Sequence, residues 1–428
     1  MKCINCGTDN KLKDRKANQG RCLKCNHPFT FEPTSMSNIK ITDSFFAKAI
    51  ADISVNNTLF FTPKQLLYFL DNRIRKKSNS ISQFGWLFIY IPLTFFAISS
   101  TVGLMIVNFI FVWTFVNQSN SSKLNNTSRR ANARNLQILG GIILVGGILI
   151  SINSNSFSFF VIVVIMGMLS IYLGSQQLGR IGFLRQEFLF SQSQVKDWLE
   201  RWQQMNGSVL KILPSPNQEN KPTSINPDVT AYSFDRLVVC DSANIAQLLI
   251  ANNFHFENNC AILSITGYPQ SIFDTTMQML RRNPDLKVYA VHDCNSQGIG
   301  LVHNLRTNAN WFLHREITII DIGLMPRQII ATKRGMFIQF SPQSARAAKQ
   351  LPKEVRQSLS AEELRWLESG NFVELESFSP QKIIKVLQKG IAGSRDLESD
   401  DSSLLLVGDT GNDMYVCSKF WLVFSFCL

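Results

Sequence analysis

Two stretches of unbroken apolar sequence organise the chain. Residues 84–116 contain no charged side chain, and neither do residues 138–173, which the polar run Asn153, Ser154, Asn155 and Ser156 divides in two. A helix needs about 20 apolar residues to cross a bilayer. The first block is long for one upright helix and short for two, and the second reads as two minimal spans. Ahead of them, residues 42–53 and 62–74 have the spacing of two short helices, the second with Leu66, Leu67, Phe69, Leu70 and Ile74 on one broad side. Thr62 followed by Pro63 has the form of a helix start. Behind the membrane blocks come a helix near residues 188–205 and a Pro-, Asn- and Ser-rich linker over residues 214–227. The pattern then changes to strands at residues 236–240, 261–265, 287–292 and 317–322, alternating with helices at residues 242–252, 271–282 and 298–306. That alternation predicts an α/β domain with a mostly parallel sheet, with every strand's carboxyl end on one edge.

Charge sets the topology. Arg73, Arg75, Lys76 and Lys77 precede the first apolar block, Lys123, Arg129, Arg130 and Arg134 lie between the blocks, and Arg180 and Arg185 follow the second. The positive-inside rule puts all three flanks on the cytoplasmic side, so each block crosses an even number of times. The expectation is an integral membrane protein with two hairpins and four spans, a first turn near Ser99, Ser100 and Thr101, and both termini cytoplasmic. One tilted helix over the first block, giving three spans, is the alternative. Without an ionisable residue the spans read as an anchor and not as an ion pathway. The polar, Cys-rich first thirty residues do not read as a cleavable signal.

Composition narrows the classes further. The 428 residues are 45% hydrophobic, which excludes a disordered chain, and nine clustered cysteines do not make a disulfide scaffold. The net charge of +12 is unevenly placed: residues 1–185 hold 20 of the 43 Lys and Arg but 6 of the 31 Asp and Glu. The C-terminal half is close to neutral, so charge alone does not make it a DNA-binding domain.

Cys3 and Cys6, then Cys22 and Cys25, form two CxxC pairs separated by fifteen residues. This is the spacing of a zinc ribbon, in which two turns present four thiolates to one structural Zn²⁺. Gly7 suits the turn, and His27 is not needed to fill the shell. Lys2, Lys11, Lys13, Arg15, Lys16, Arg21 and Lys24 give this ribbon a basic surface compatible with phosphate or anionic lipid. The chain thus divides into a zinc ribbon (1–33), a helical connector (34–80), a transmembrane region (84–174), a juxtamembrane helix and linker (175–227), and an α/β domain (228–428).

Candidate chemistry lies at the strand ends. Asp241 follows the first strand, Asp293 the third, and Asp321 lies near the end of the fourth. Such carboxylates can hold Mg²⁺, or simply cap the helices that follow. Gly267-Tyr268-Pro269 follows the second strand, and Asp293-Cys294-Asn295-Ser296-Gln297-Gly298 follows the third. With these motifs, residues 237–306 resemble the Toprim domain, most closely that of type IIB topoisomerase A subunits and their meiotic double-strand-break relatives. The resemblance extends faintly through residues 359–387. It implies a nucleic-acid or nucleotide ligand, Mg²⁺, and a site at Asp241 and Asp293 with Gly267, Tyr268 and Asn295 nearby.

The sequence departs from that pattern at two positions. Cys240 stands where the family has its catalytic Glu, with Asp241 one residue later, and Asn295 replaces the second metal-binding Asp. The expectation is therefore a non-catalytic nucleic-acid or nucleotide binding module on a membrane anchor. A metal-dependent phosphodiester enzyme led by Asp293, and a scaffold binding protein partners through ribbon and α/β domain, are the alternatives. The family's cleaving tyrosine sits in an Arg-x-x-x-Tyr context, of which Lys64 to Tyr68 is a faint echo. Four spans separate Tyr68 from the α/β domain in sequence, so it reads as a packing residue. His255, His292, His303 and His314 have no paired nucleophile and read as surface or core residues. Gly298-Ile299-Gly300 lacks dinucleotide spacing, residues 408–411 lack the P-loop lysine, and the apolar tail 419–428 is too short to span.

Overall fold

The computed structural model describes residues 1–36, 39–78, 85–97, 100–121, 124, 126–153, 156–180, 186–216, 235–280, 283, 285–332, 336–393, 404–407 and 414–417. Most of the linker 214–227, the glycine turn 408–411 and the tail 419–428 lie outside the described residues.

The N-terminal ribbon is two matching turns around α1 (Leu12–Ala17). In the first, Cys3 N–H donates to Thr8 O (2.9 Å) and Gly7 N–H to Cys3 O (3.0 Å). In the second, Cys22 N–H donates to His27 O and Asn26 N–H to Cys22 O, both at 2.9 Å. Gly7 (φ 72°) and Asn26 (φ 57°) occupy the left-handed region that closes each turn. Buried Arg15 fastens them, with Nη1 donating to Asn10 O at 2.7 Å and Nε to Glu32 at 2.8 Å.

The ribbon is packed onto helices drawn from both sides of the membrane region. Phe31 lies against Phe46, Trp198 and Trp202. Those rings belong to a core shared by α2 (Asp43–Ile53), α3 (Pro63–Ser78) and, beyond the spans, α8 (Gln192–Asn206). In space, α2, α3 and the juxtamembrane helix α8 share one core, and the apolar helices are an insertion between α3 and α8. Thr62 and Gln65 cap α3 reciprocally: Gln65 N–H donates to Thr62 Oγ1 (3.1 Å) and Thr62 N–H to Gln65 Oε1 (3.0 Å).

Four apolar helices follow: α4 (Leu87–Ala97), α5 (Thr101–Asn120), α6 (Asn126–Asn153) and α7 (Phe157–Arg180). Helix α4 ends at Ala97 and α5 begins at Thr101, capped by Ser100; Ser99 of the expected first turn lies outside the described residues. Three of the four are long and apolar enough to cross a membrane, over Val102–Asn120, Ser128–Asn153 and Phe157–Arg180. The eleven residues of α4 rise only about 16 Å, short of a hydrocarbon core of about 30 Å, so α4 does not span by its own length. Tyr90 of α4 donates to Asn108 of α5 at 2.7 Å, which pairs the two. Phe88, Phe96 and Trp113 point outward, a sensible surface only against lipid. Helices α6 and α7 pack closely because their contact is lined by small residues: a Cβ on Gly140 would lie 2.8 Å from Gly167 O, and one on Gly167 2.5 Å from Leu144.

The C-terminal domain is built on a four-stranded parallel sheet in the order β2-β1-β3-β4, from β1 (Arg236–Cys240), β2 (Cys260–Ser264), β3 (Lys287–Val291) and β4 (Thr318–Asp321). Strand alternation splits its core in two. Val238 and Cys240 face the layer of α9 (Ala243–Ala251), while Leu237 and Val239 face the layer of α11 (Phe273–Leu280) and α13 (Leu301–Thr307). Between these lie the short helices α10 (Phe254–Asn258) and α12 (Ser296–Ile299), and after β4 comes α14 (Pro326–Thr332). A small antiparallel pair, β5 (Gln339–Phe340) with β6 (Asn371–Phe372), brackets α15 (Pro342–Lys349), α16 (Lys353–Gln357) and α17 (Ala361–Glu368). The 3₁₀ turn Leu375–Ser377, α18 (Pro380–Gly393) and the pair β7 (Leu404–Val407) with β8 (Met414–Cys417) complete the described chain.

The two halves are joined along the backbone. Phe61 N–H donates to Lys211 O and Leu213 N–H to Phe61 O, both at 2.9 Å, and Asn252 bonds both backbone groups of Phe60.

Close packing of α6 on α7 makes a direct expectation. Gly167→Ala should lower unfolding stability in detergent by about 1–3 kcal/mol, because the methyl overpacks the contact. Gly141→Ala, where nothing lies within 4 Å, should be close to neutral. Thermal unfolding of both variants checks this; equal effects would contradict it.

Candidate functional site

The sheet order reverses at β1: β2 lies on one side, β3 and β4 on the other. Chains leave β1 and β3 in opposite directions there, and a crevice opens between their carboxyl ends. It has a volume of about 1210 Å³ and is lined by Asp241, Ser242, Asn244, Thr266, Asp293, Asn295, Gln297 and Asn304, among others. No Lys or Arg stands among the described lining residues.

Asp241 and Asp293 come together as the sequence predicts. Asp293 N–H donates to Asp241 Oδ2 at 2.8 Å, and Asp241 Oδ1 is buried without a hydrogen-bond partner among the described residues. Asn295 does not stand in for a ligand: its Oδ1 accepts from Gly298 N–H at 2.7 Å, capping α12. Gly298 is required because a Cβ there would sit 2.2 Å from Asp293 O. Gly267 (φ 85°) and Tyr268 form the turn after β2, with Tyr268 buried in the α9-side core, and neither lines the crevice.

The 3₁₀ turn brings further carboxylates to the same edge. Leu375 N–H donates to Asp293 Oδ1 at 2.7 Å, and Cys294 and Val373 exchange backbone hydrogen bonds. Glu374 and Glu376 thereby stand beside the aspartates. Helix α3 meets them. Tyr68 Oη donates to Glu374 Oε2 at 2.6 Å, Lys64 Nζ lies 2.6 Å from Glu374 Oε1, and Thr62 Oγ1 donates to Glu376 Oε1 at 2.7 Å. Gln339 of β5 donates to the Tyr68 oxygen. Tyr68 packs as its sequence context suggests, with its ring on Phe188 and Phe337, and its hydroxyl in addition joins the acidic cluster.

Burial pushes the Asp293 carboxyl well above its ordinary range, and the neighbouring Asp241 charge adds to this. Burial raises Asp241 and Glu376 too, with Thr62 opposing it at Glu376. Burial raises the Tyr68 phenol, and the Glu374 charge raises it further. At Lys64 burial would favour the neutral amine, but Glu374 outweighs it and the ammonium is favoured.

His292 is fully buried behind the edge. Its Nε2 lies 2.9 Å from Asp321 Oδ1 and its Nδ1 2.8 Å from Asp293 O. Both partners are acceptors, so only the doubly protonated ring satisfies both. Burial opposes that charge, yet Asp321 prevails and His292 titrates at about 9. At the half-buried Asp321 burial would raise the carboxyl, but His292 outweighs it and holds it below the ordinary carboxylate range. Gly323 leaves the space: a Cβ there would come 2.3 Å from the His292 ring.

Away from this edge, the four cysteines meet. Their sulfurs all lie within 4.8 Å of one another, with Cys3 to Cys25 at 3.6 Å and Cys6 to Cys22 at 3.5 Å. A tetrahedral ion with metal–sulfur bonds of about 2.3 Å sets its ligands about 3.8 Å apart, so the cluster fits one metal ion. Backbone N–H groups, Cys25 first, lower the Cys22 thiol to about 6, whereas burial raises Cys3 to about 11. Among the described residues, no other His, Cys, Asp or Glu set brings three such ligand atoms together. The acidic edge therefore offers two adjacent aspartates, not a preformed triad.

No protein-family model matches this chain, and no curated protein does.

The His292–Asp321 pair makes stability pH-dependent. The folded pKa of about 9 exceeds the ordinary 6.5, so the histidine's contribution is complete below about pH 6.5 and lost as pH rises through 9. Asp321 works oppositely, its share being lost on acidification. Unfolding free energies in detergent should fall across pH 6.5 to 9, by on the order of 3 kcal/mol from this histidine, and Asp321→Asn should flatten that fall. An unchanged slope in the variant would contradict the pairing.

Proposed function

We propose that this chain is a membrane-anchored, cytoplasm-facing binding module that takes a nucleotide, or the end of a nucleic-acid strand, in the crevice between β1 and β3. The carrying observation is the crevice itself, at the reversal of strand order where doubly wound sheets bind ligands, with amide and hydroxyl side chains around two carboxylates. Asn and Gln amides match the hydrogen-bonding edges of a base, and ribose hydroxyls match the same groups. The phosphate would need Mg²⁺ bridging to Asp241 and Asp293, since no Lys or Arg stands among the described lining residues.

The α/β domain is on this reading a degenerate Toprim-like domain. Gly298 supports it, since the position next to Asp293 tolerates no side chain. Cys240 and Asn295 at the other two metal positions favour binding over catalysis. The metal of the cysteine cluster is on this reading zinc, supported by an all-thiolate set and tetrahedral sulfur spacing. Basic flanks support two hairpins with both termini cytoplasmic, the uncharged block 84–116 supplying the first pair of crossings.

A metal-dependent phosphodiester enzyme is the second reading, and one observation favours it. The Tyr68 hydroxyl donates to Glu374 beside Asp293, an arrangement that orients a phenol against a carboxylate base.

Thermal unfolding of the full chain in detergent with Mg²⁺ and a panel of nucleotides and short oligonucleotides tests the proposal. A ligand at a hundred times its Kd should stabilise by about 2.7 kcal/mol, and Gln297→Ala with Asn304→Ala should weaken the shift. No shift with any member of the panel would contradict it. Strand nicking lost in both Asp293→Ala and Tyr68→Phe would install the second reading instead.

A further inference from the structure

The membrane region is cationic and holds no carboxylate of its own. Between Asp71 and Glu187 the chain has ten Lys and Arg and no Asp or Glu. Asp52 and Asp71 take up Arg73 and Arg75. Arg134 is exposed and has no such carboxylate among the described residues.

Helix geometry gathers part of this charge in one place. On α6, Arg130, Arg134, Gln137, Gly141 and Val145 follow one another at intervals of three or four residues and share a face. On α7, Met168, Tyr172, Ser175 and Gly179 do the same. The two faces meet edge to edge, because Gln137 Nε2 donates to Ser175 Oγ at 2.9 Å. Helix α5 lies on the other side of the pair, where Ser119 donates to Gln177, so this seam is open. Val145, Met168 and Tyr172 are exposed along it, and a Cβ on Gly141 or Gly179 would meet nothing within 4 Å. Arg129 is buried away from the seam, its Nε donating to Ser121 O at 2.6 Å.

Depth and charge identify what fits. Arg134 shares its face with Ile152, an exposed apolar residue at the far end of α6, and stands about 27 Å from it along the helix, close to the thickness of a hydrocarbon core. With that apolar length in the core, Arg130, Arg134 and the Gln137–Ser175 pair fall at the level of the lipid phosphates. Two arginines four residues apart repel each other. A phosphate between them removes the repulsion and accepts the forked hydrogen bonds that guanidinium offers. The choline of a zwitterionic lipid would set a positive charge beside them, so a net anionic headgroup is favoured. Further along, the seam is apolar and lacks a side chain at Gly141, which suits an acyl chain and is of no use to a free phosphate.

We propose that this end of the α6–α7 seam binds an anionic phospholipid, with Arg130 and Arg134 on its phosphate, Gln137 beside it, and an acyl chain along Gly141, Val145 and Met168. The inference rests on reading α6 and α7 as membrane spans, and not on what the crevice takes.

Thermal unfolding of the full chain in neutral detergent, with phosphatidylglycerol or phosphatidylcholine added and the ribbon metal retained, tests this. The unaltered protein should reach its half-maximal shift at a roughly tenfold lower concentration of phosphatidylglycerol than of phosphatidylcholine. Arg130→Gln with Arg134→Gln should lose that preference, while Lys13→Gln with Lys16→Gln on the exposed ribbon surface should keep it. A preference undiminished in the arginine pair, lost equally in the ribbon pair, or reproduced by inorganic phosphate alone overturns the proposal. Should the arginine pair not fold, the unaltered protein decides: phosphatidylglycerol, and not phosphatidylcholine, must slow amide hydrogen exchange over residues 128–134, and equal exchange overturns it. Flotation with phosphatidylcholine vesicles tests the spans separately. A chain that floats but shows no preference sinks this proposal alone, and one that does not float sinks both.

Discussion

Helix α3 lies with its first two turns against the turn that carries Glu374, Leu375 and Glu376, and most of the architecture follows from that contact. Thr62, Lys64 and Tyr68 are spaced so that each reaches a glutamate, and Gln65 adds a hydrogen bond to Phe378 O at 3.1 Å. The glutamates are in turn fixed to the sheet edge by the Leu375 N–H on Asp293. Remove the contact, and the ribbon with its helices would still meet the α/β domain through Asn252 on the Phe60 backbone, the Gln186 N–H on Ile338 O and the stacking of Phe188 on Phe337.

Part of the positive charge is spent on the protein's own carboxylates, as with Lys64 on Glu374 and Arg75 on Asp71. The crevice, by contrast, has no lysine or arginine among its described lining residues. Polyanion binding by simple charge attraction therefore does not describe it. Its amides and hydroxyls suit recognition by hydrogen bonding, and on the proposed reading a phosphate would arrive with its own counter-ion against the two aspartates.

The local features were legible in the sequence. The CxxC pairs placed four sulfurs correctly because each pair closes its own turn. The strands were legible because short apolar runs such as residues 237–240, alternating with helical stretches, suit strands buried on both faces of a parallel sheet. Asp241 and Asp293 were found together because parallel strands put their ends on one edge. What escaped was non-local. Tyr68 and Glu374 are 306 residues apart, and no spacing rule connects them. The pairing of α3 with α8 crosses the whole membrane region, and hydropathy that marks an insertion gives no sign of what lies across it. His292 carried no motif, since its role comes from Asp321 and from the room left by Gly298 and Gly323. Within the first apolar block, hydropathy located the break but overstated α4, whose helix is eleven residues long.

The central claim is that α3 and the acidic edge are energetically joined, and a double-mutant cycle on Tyr68 and Glu374 measures that directly. Tyr68→Phe, Glu374→Gln and the double variant would be unfolded in detergent alongside the unaltered protein. Because this hydroxyl donates to a half-buried carboxylate oxygen, the two substitutions should be non-additive by about 1–3 kcal/mol. Strict additivity would mean that the hydroxyl and the carboxylate do not meet, and the union of the two halves described above would be wrong.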